Sequence, residues 1–561
     1  MASKTDESSY IPTPHQDESS PTQKPESIHS DAEKRSQSID DNINEKIIED
    51  PTTDIEAQNL AKSTTNKSEK PFTAFANYQI WFIVAMASAA SFFSPLSGQI
   101  YFPVLPILTK NYGLTPALLN VTVTTYMIFQ GLMPSFMGTF SDASGRRPAY
   151  ILAFIIYTAA NIGLALQNSY AALLVLRCLQ SAGSSGTISF GFAVVADVVT
   201  TAERGKYMGP MASGIMLGPA LGPVIGGLLA QFLGWRAVFW FLVVVSGSFL
   251  VIYAVFQPET HRQIVGDGSV TPSEGWRLSL VQYIATKRKV ARMSAEEKKE
   301  YEKTRLGLKE QQTARKLGFP NPLKSFAILL QKDALALVVY SGLMMFGNLV
   351  LMTATPTLFP GIYGLNELEV GLCFLPLGVA AAVGSIINGK LLDWNYRRLA
   401  AKHGMAIERK RDQDLTEFPI EKARLQMAIG FASGIALLYI PYGWALQYHA
   451  HLAAPMVIQF LIGCCTVCTS NSLSTLLADL FPGQVATASA AQNLVRCWLG
   501  AVGAAVVDSM LSGMGTGWCF TFTAFMLLAG VGLLWVEMKW GMGWRQKRWA
   551  QDKAKKEAAS S

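Results

Sequence analysis

The chain has 561 residues, of which 50% are hydrophobic and 16% are charged, and its formal net charge is +7. This composition is too apolar and too poor in charged residues for a soluble globular protein of this size. It therefore argues against a soluble enzyme or a nucleic-acid-binding protein and indicates a chain that lies largely in lipid.

The first segment of the chain is polar. Residues 1–70 are rich in Ser, Thr and Pro and carry 8 basic and 15 acidic side chains. Such a segment cannot bury a hydrophobic core, so we predict a disordered cytoplasmic N-terminal tail over residues 1–75. It contains no apolar signal-peptide core, and we expect the first membrane span to serve as the insertion signal.

Apolar runs of about 20 residues, the length needed to cross a bilayer, recur twelve times along the rest of the chain. They predict an all-α membrane protein with twelve transmembrane helices in two pseudo-symmetric six-helix bundles, residues 76–258 and 328–538. The first six runs lie near 80–104, 116–138, 148–167, 170–192, 207–231 and 237–256. The second six lie near 334–357, 367–388, 424–443, 453–475, 487–508 and 517–537.

The distribution of basic residues predicts the orientation in the membrane. If both termini are cytoplasmic, only Lys110 and Arg236 among the 47 basic residues fall in outside loops. Lys and Arg accumulate on the cytoplasmic side of short loops. We therefore predict that residues 259–327 form a cytoplasmic linker between the bundles and that residues 539–561 form a cytoplasmic C-terminal tail.

The two halves contain a repeated loop sequence. GTFSDASGRR (138–147) aligns without gaps on GKLLDWNYRR (389–398). The identical positions are Gly138 with Gly389, Asp142 with Asp393, Arg146 with Arg397, and Arg147 with Arg398. An internal repeat of this kind is typical of secondary transporters, whose substrate site lies between the halves. The second copy has Tyr396 where the first has Gly145.

Several motifs in the correct order resemble the major facilitator superfamily, and more narrowly its twelve-span drug:proton antiporters and fungal quinidine-resistance-type multidrug transporters. The motifs are GTFSDASGRRP after helix 2, RCLQSAG (177–183) in helix 4, GIMLGPALGPVIGG (214–227) in helix 5, QPET (257–260) after helix 6, FPIEKARLQ (418–426) and ADLFPGQVATASAAQNLVR (478–496). The resemblance implies the major facilitator fold over roughly residues 76–538.

The resemblance also implies a function. It indicates a secondary active transporter that exports small amphipathic organic compounds, such as drugs, fungicides, toxins or secondary metabolites, by proton antiport with alternating access. A uniporter or importer of organic cations, polyamines or weak acids on the same fold is the alternative. The helix 5 motif favours export.

The sequence contains no GxxxxGK[ST] phosphate-binding loop, and we expect neither enzymatic activity nor a cofactor, metal or nucleic-acid partner. The expected partners are small-molecule substrates, protons and the lipid bilayer. We expect a monomeric multi-pass protein of the plasma membrane, with the vacuolar membrane as the alternative.

The repeated loop supplies a predicted conformational lock. Gly145 suits a sharp turn, and Asp142, at a helix end, can accept from the N-terminus of a neighbouring helix. The resemblance implies that Arg146 contacts an acid at the end of helix 4, for which Asp197 is the candidate. The predicted lock comprises Gly138, Asp142, Gly145, Arg146, Arg147, Asp197 and Asp393. A plain positive-inside anchor is the alternative for the two arginines.

Ionisable residues within spans are costly and indicate function. Arg177, one turn from Gln180, is the strongest such residue, and the resemblance implies a part in proton transfer. A carboxylate that binds and releases a proton is the simplest coupling group, but none is confidently central, and Asp508 is the candidate. The missing central acid favours the uniporter.

Four glycines of the helix 5 motif, Gly214, Gly218, Gly222 and Gly226, are spaced at four residues and predict a smooth strip that permits close helix packing. The motif also includes Pro219, Pro223 and Gly227. We expect this strip to pack against a helix of the other half and to rock there during transport. A static contact is the alternative.

Polar and aromatic residues within the spans predict a cavity suited to amphipathic compounds. Each of them can equally well bond a neighbouring helix. The candidates for substrate binding are Gln99, Tyr101, Tyr126, Gln130, Asn348, Gln459, Asn471, Asn493 and Arg496.

Overall fold

The computed structural model describes residues 73–200, 203–268, 272, 274–298, 328–402, 418–481 and 484–560. Of the predicted N-terminal tail, only residues 73–75 are among them. The second part of the predicted linker, residues 299–327, also lies outside the described residues. All regular elements in the described ranges are helical.

The first bundle contains eight α-helices and one short 3-10 helix, Phe102–Val104. The α-helices are α1 (Asn77–Gln99), α2 (Leu105–Tyr112), α3 (Pro116–Ser144), α4 (Arg146–Leu166), α5 (Tyr170–Ser185), α6 (Thr187–Val198), α7 (Arg204–Leu233) and α8 (Trp235–Phe256). The described part of the linker contains α9 (Arg262–Val265), a 3-10 helix (Gly275–Arg277) and α10 (Leu280–Arg292).

The second bundle contains six α-helices in its described part. They are α11 (Lys332–Tyr363), α12 (Glu367–Leu372), α13 (Leu375–Lys402), α14 (Ile420–Gln447), α15 (Ala453–Leu480) and α16 (Val485–Ser560). Gly515, with φ 81°, interrupts α16, because a residue in this conformation cannot continue a right-handed helix.

The described helices account for the twelve predicted spans. Nine helical stretches of the described ranges are long and apolar enough to cross a membrane, and the last of them, Thr487–Gln551, contains two predicted spans separated at Gly515. The remaining two predicted spans are α3, which has many polar residues, and the pair α5 and α6, which meet at Gly186. The predicted fold class is therefore confirmed.

The C-terminal segment differs from a simple tail. Residues 539–560 continue α16 as a helix, and two of their arginines bind the second bundle. Arg545 forms an ion pair with Glu421, and Arg548 forms one with Asp333. The last helix is thereby fixed to the bundle beyond its membrane span.

Candidate transport site

The two bundles meet along three pairs of helices, which we call the seam: α3 packs on α16, and α7 packs on both α12 and α13. On α3, the Gln130 carbonyl accepts a hydrogen bond from Asn493 Nδ2 at 3.2 Å. Gly131 lies so close to α16 that a Cβ there would be 2.9 Å from the Cys497 Cβ. These contacts lie near the middle of the spans, where the transport path is expected.

The glycine strip of α7 faces α1 of its own bundle, and the predicted contact with the other half is wrong for this strip. A Cβ on Gly218 would be 2.7 Å from α1, and a Cβ on Gly222 would be 2.9 Å from it. Gly214 and Gly226 approach the same helix. Residues four apart share one helix face, whereas the next residue along the chain lies about 100° away.

The neighbouring face of α7 makes the contact with the other bundle. A Cβ on Gly227 would be 2.5 Å from the Glu367 carbonyl oxygen, and a Cβ on Gly371 would be 2.5 Å from the Pro223 carbonyl oxygen. Pro219 lies within the same helix. The glycine-rich motif of residues 214–227, which lies in α7, therefore makes two contacts. One is within the first bundle and the other is across the seam.

The loop between α3 and α4 lies at the end of the bundles that we call the basic end. Arg146 Nε binds Asp197 Oδ2 at 2.9 Å, so the pair implied by the resemblance is present. Arg146 also donates to Asp142 at 2.6 Å and to the Ser141 hydroxyl at 3.0 Å. Among the described residues, the Asp142 side chain has no partner in the second bundle. Both acids are thus held within the first bundle.

Glu259 completes this loop, although the sequence assigned it no role. Its carboxylate accepts hydrogen bonds from the backbone N–H groups of Arg146 at 3.0 Å and Arg147 at 3.2 Å, at the start of α4. It also accepts from the N–H groups of Thr260 and His261. Burial raises the pKa of Glu259, and these N–H groups oppose that rise. A carboxylate at a helix N-terminus is favoured by the helix dipole.

Gly145 makes the close approach of Glu259 possible. Its φ of 111° is a conformation that other residues rarely adopt, and a Cβ there would collide with the Glu259 carboxylate. The QPET sequence was a signal for this residue, but only the fold places it against α4. Gly138, by contrast, lies within α3 with open space beside it.

Arg147 has a structural role in the same region. Its side chain donates to three backbone carbonyls, at distances of 2.6 to 3.1 Å, and thereby ties α4 to the end of α8 and to the linker. The acceptors are the carbonyl oxygens of Ala254, Gln257 and Trp276.

The second copy of the loop does not reproduce the first. Tyr396 occupies the position of Gly145, and α13 continues through it as a helix. Asp393 and Arg397 are exposed, and Asp393 makes no ion pair within the described ranges. The predicted equivalence of Asp393 and Asp142 fails because a tyrosine does not readily adopt the turn that Gly145 permits. The second bundle instead pairs Arg424 with Asp479 at 3.1 Å.

Arg177 is buried between two aromatic rings, with 1% of its surface exposed. Its guanidinium carbon lies 4.0 Å from the centroid of the Tyr101 ring and 4.2 Å from that of Tyr126. It donates to Gln180 Oε1 at 2.6 Å, and its Nε has no partner. No carboxylate neutralises this charge in the described structure. Asp508 is half-buried, and its carboxylate has no hydrogen-bond partner there.

Three of the predicted substrate-binding residues converge at the seam. Arg496 donates to Asn493 Oδ1 at 2.8 Å, and Asn493 donates across the seam to the Gln130 carbonyl. The Gln130 Oε1 and the Arg496 Nε have no hydrogen-bond partner within the described ranges. These three residues form a half-buried polar group that has free hydrogen-bonding capacity.

The other predicted substrate-binding residues fall into two groups: those that are bonded inside one bundle, and those that are partly exposed or have an unpartnered atom. Gln459 is fully buried and donates to Thr355 and Tyr442 within the second bundle, and Tyr101 and Tyr126 are likewise bonded inside the first bundle. These three positions serve bundle packing in this conformation. Gln99 is 9% exposed with an unpartnered Oε1, and Asn348 and Asn471 are half-buried.

A groove between α1 and α7 opens in the half nearer the basic end. It encloses about 470 Å³ and has an almost wholly apolar lining that includes Trp81, Phe92 and Leu217. Such a groove suits the hydrophobic part of an organic compound.

Two bundles of membrane-length helices, close-packed along a seam that carries half-buried polar residues, have the architecture of a membrane carrier. The sequence profile of the Major Facilitator Superfamily matches residues 87–504. The chain belongs to the Major Facilitator Superfamily.

Relatives and solved structures agree with this assignment. The chain is 40% identical over 525 residues to "MFS-type transporter phiD" of Fungal sp. (strain ATCC 74256), covering 91% of this chain and 78% of the relative. It is 37% identical over 497 residues to "Citrate exporter 1" of Aspergillus niger, covering 87% and 91%. The fold is similar to that of the xylose transporter XylE from E. coli in a partially occluded inward open conformation, with a TM-score of 0.55, 14% identity and coverage of 82% and 98%.

Proposed function

We propose that this transporter exports small organic compounds by proton antiport with alternating access, as the resemblance to drug:proton antiporters implies. The main support is the contrast between the seam and the basic end. The bundles make close backbone contacts along the seam, whereas Asp142 and Asp197 at the basic end are both bound by Arg146 of their own bundle. This arrangement suits a carrier that is unlocked at the basic end.

The basic end is the cytoplasmic end in this proposal, because basic residues concentrate there. The conformation is then the one that receives cargo from the cytoplasm. The proposed location is the plasma membrane with both termini cytoplasmic, and the vacuolar membrane is the alternative.

The cargo is proposed to carry a negative charge in addition to an apolar part. Arg177 and Arg496 each leave Nε unpartnered, and neither is paired with a carboxylate in the described structure. An uncompensated guanidinium in a membrane protein favours an anionic partner, and Arg binds carboxylates especially well. A relative named for citrate export supports the same class. Organic cations and polyamines are disfavoured for the same reason.

Uniport is the second candidate, and one observation favours it. The described residues place no carboxylate against Arg177, and among them the Asp508 carboxylate has no hydrogen bond or ion pair that would couple it to the seam. Transport by purified protein in liposomes separates the possibilities. Acceleration of organic-acid flux by an opposing proton gradient supports antiport, flux that is independent of the proton gradient supports uniport, and binding without flux contradicts transport.

Alternating access can be tested with a cross-link that uses a native cysteine. The substitution Gly131→Cys places a thiol beside Cys497 across the seam, within reach of a disulfide after a small adjustment. Oxidation should stop transport and reduction should restore it. The matched control is Gly131→Cys combined with Cys497→Ala, which should be insensitive to oxidant. Full transport by the cross-linked protein would exclude motion at the seam.

A further inference from the structure

An acidic residue of the last helix is buried without a hydrogen-bond partner in the part of the chain that the structure describes. Glu537 is 0% exposed, and neither of its carboxylate oxygens has a hydrogen-bond partner among the described residues. A buried ionised carboxylate without donors is among the most costly groups in a protein. Its surroundings therefore decide which form it takes.

Two further carboxylates, on different helices, lie near enough to Glu537 to interact with it electrostatically. Glu421 is in the first turn of α14, and Asp333 is in the first turn of α11. Gly541 provides the space: a Cβ there would be 2.9 Å from Glu537 Cδ and 3.1 Å from Glu421 Cγ. We call the three residues Asp333, Glu421 and Glu537 the acid cluster.

Among the residues that the structure describes, two arginines face the acid cluster, and each pairs with one of its carboxylates. Arg545 pairs with Glu421 at 2.7 Å, with both side chains 1% exposed, and also donates to the Phe418 carbonyl. Arg548 pairs with Asp333 and donates to the Leu480 carbonyl at 2.7 Å. The two arginines therefore balance two of the three carboxylates.

The nearest further charged pair does not change this balance. Arg424 and Asp479, on α14 and α15, pair with each other at 3.1 Å. A third ionised carboxylate in the cluster would have no cation of its own, and like charges in one buried site disfavour ionisation of one of them. Neutral Glu537 relieves both the desolvation and the repulsion.

The first bundle shows what a satisfied acid at the equivalent place looks like. Glu259 follows the sixth span and accepts four backbone N–H groups. Glu537 ends the twelfth predicted span and accepts no hydrogen bond from the described part of the chain. In the second bundle, the carboxylate in the first turn of α14 is that of Glu421. Glu537 therefore does not bind the start of α14 in the way that Glu259 binds the start of α4.

We propose that Glu537 is a proton-binding site at the basic end of the second bundle, occupied while Arg545 and Arg548 hold the last helix against the acid cluster. Loss of the proton adds a third negative charge that competes for these arginines and loosens the helix. The proposal is independent of whether cargo transport is coupled to protons.

The test uses the full-length protein in lipid nanodiscs. Infrared difference spectra taken from neutral pH upward, where exposed carboxylates are already ionised, should contain the carbonyl stretch of a protonated carboxylic acid, and Glu537→Gln should weaken that band. A band of undiminished intensity in the variant, or the absence of the band from the unsubstituted protein over this pH range, would overturn the proposal. The second outcome needs no variant and so does not depend on its folding.

Stability provides the second readout. A native state that holds a proton the unfolded chain has lost becomes less stable as pH rises, starting above about pH 4.3, where an unfolded Glu ionises. The Tm of the unsubstituted protein should therefore fall relative to that of Glu537→Gln as pH rises. Glu421→Gln is the matched control, and it should lower Tm at neutral pH because it leaves Arg545 without its carboxylate. An equal loss in both variants at neutral pH would show that Glu537 is an ionised partner and would contradict the proposal.

Discussion

The carboxylate of Glu259 occupies the space that a side chain on residue 145 would need. Because Gly145 has no Cβ, the carboxylate reaches the first two N–H groups of α4, which belong to Arg146 and Arg147. Those same arginines carry the contacts to Asp197 and to the linker. The short loop therefore joins α3, α4, α6 and the segment after α8 at one point.

Gly145→Ala should destabilise the protein by about 1–3 kcal/mol, because it adds both backbone strain and a collision. Gly138→Ala is the control, since residue 138 lies in a helix with open space beside it. It should leave Tm unchanged or slightly raised, because Ala favours helix more than Gly does. Thermal unfolding of both variants in detergent decides the matter, and equal Tm values would contradict the assigned role of Glu259.

Substitutions of Glu259 should give a graded series. Glu259→Ala leaves the buried N–H groups at the start of α4 without an acceptor, which costs about 1–3 kcal/mol for each unsatisfied group. Glu259→Gln retains one acceptor oxygen and should cost less. Unfolding midpoints should follow the order Glu, Gln, Ala. A Gln variant less stable than the Ala variant would be inconsistent with the observed bonding.

Substitutions on the two faces of α7 should have different effects. Gly218→Ala meets α1 within one bundle and should lower Tm by an amount corresponding to about 1–3 kcal/mol. Gly227→Ala meets Glu367 across the seam and should reduce transport more than Tm. Gly209→Ala, with open space beside it, is the control for both measurements. If Gly218→Ala and Gly227→Ala reduced transport equally at equal stability, the assignment of one face of α7 to α1 and the other to the seam would be contradicted.

Arg177→Lys should reduce transport even though it keeps the charge. A lysine cannot lie as a flat group between the rings of Tyr101 and Tyr126, nor present several donors at once. Loss of a charge-assisted bond of about 1.5–3 kcal/mol corresponds to about tenfold or more in affinity for an anionic cargo. Arg236→Lys is the control. Arg236 lies at the end of the first bundle opposite to the basic end, and this variant should transport normally.

The sequence was sufficient for the helices and their grouping, because apolar run length and the repeated loop are local features. It was also sufficient for the pair of Arg146 and Asp197, which a known motif implies. It was insufficient where a choice between neighbouring helix faces matters. Gly226 and Gly227 are adjacent in the chain, yet one meets α1 and the other meets α12.

Burial and partner number were also beyond the sequence. Glu259, Glu421 and Glu537 are all acids at span ends, but only the fold decides that the first accepts four N–H groups, the second binds an arginine and the third has no partner. Tyr396, by contrast, is a feature of the sequence that does predict a structural difference between the two loops. A tyrosine at the position of Gly145 already indicates that the second loop will not turn in the same way.

The glycine strip of α7 has a mechanical consequence. Where backbones touch directly, there are no intervening side chains whose rotamers could change to let one helix slide past the other. We therefore expect α1 and α7 to move as one rigid unit. A tilt that separates α7 from α13 should carry α1 with it. The passage for the cargo should widen by rigid-body movement of these two helices together, and not by the bending of a single helix.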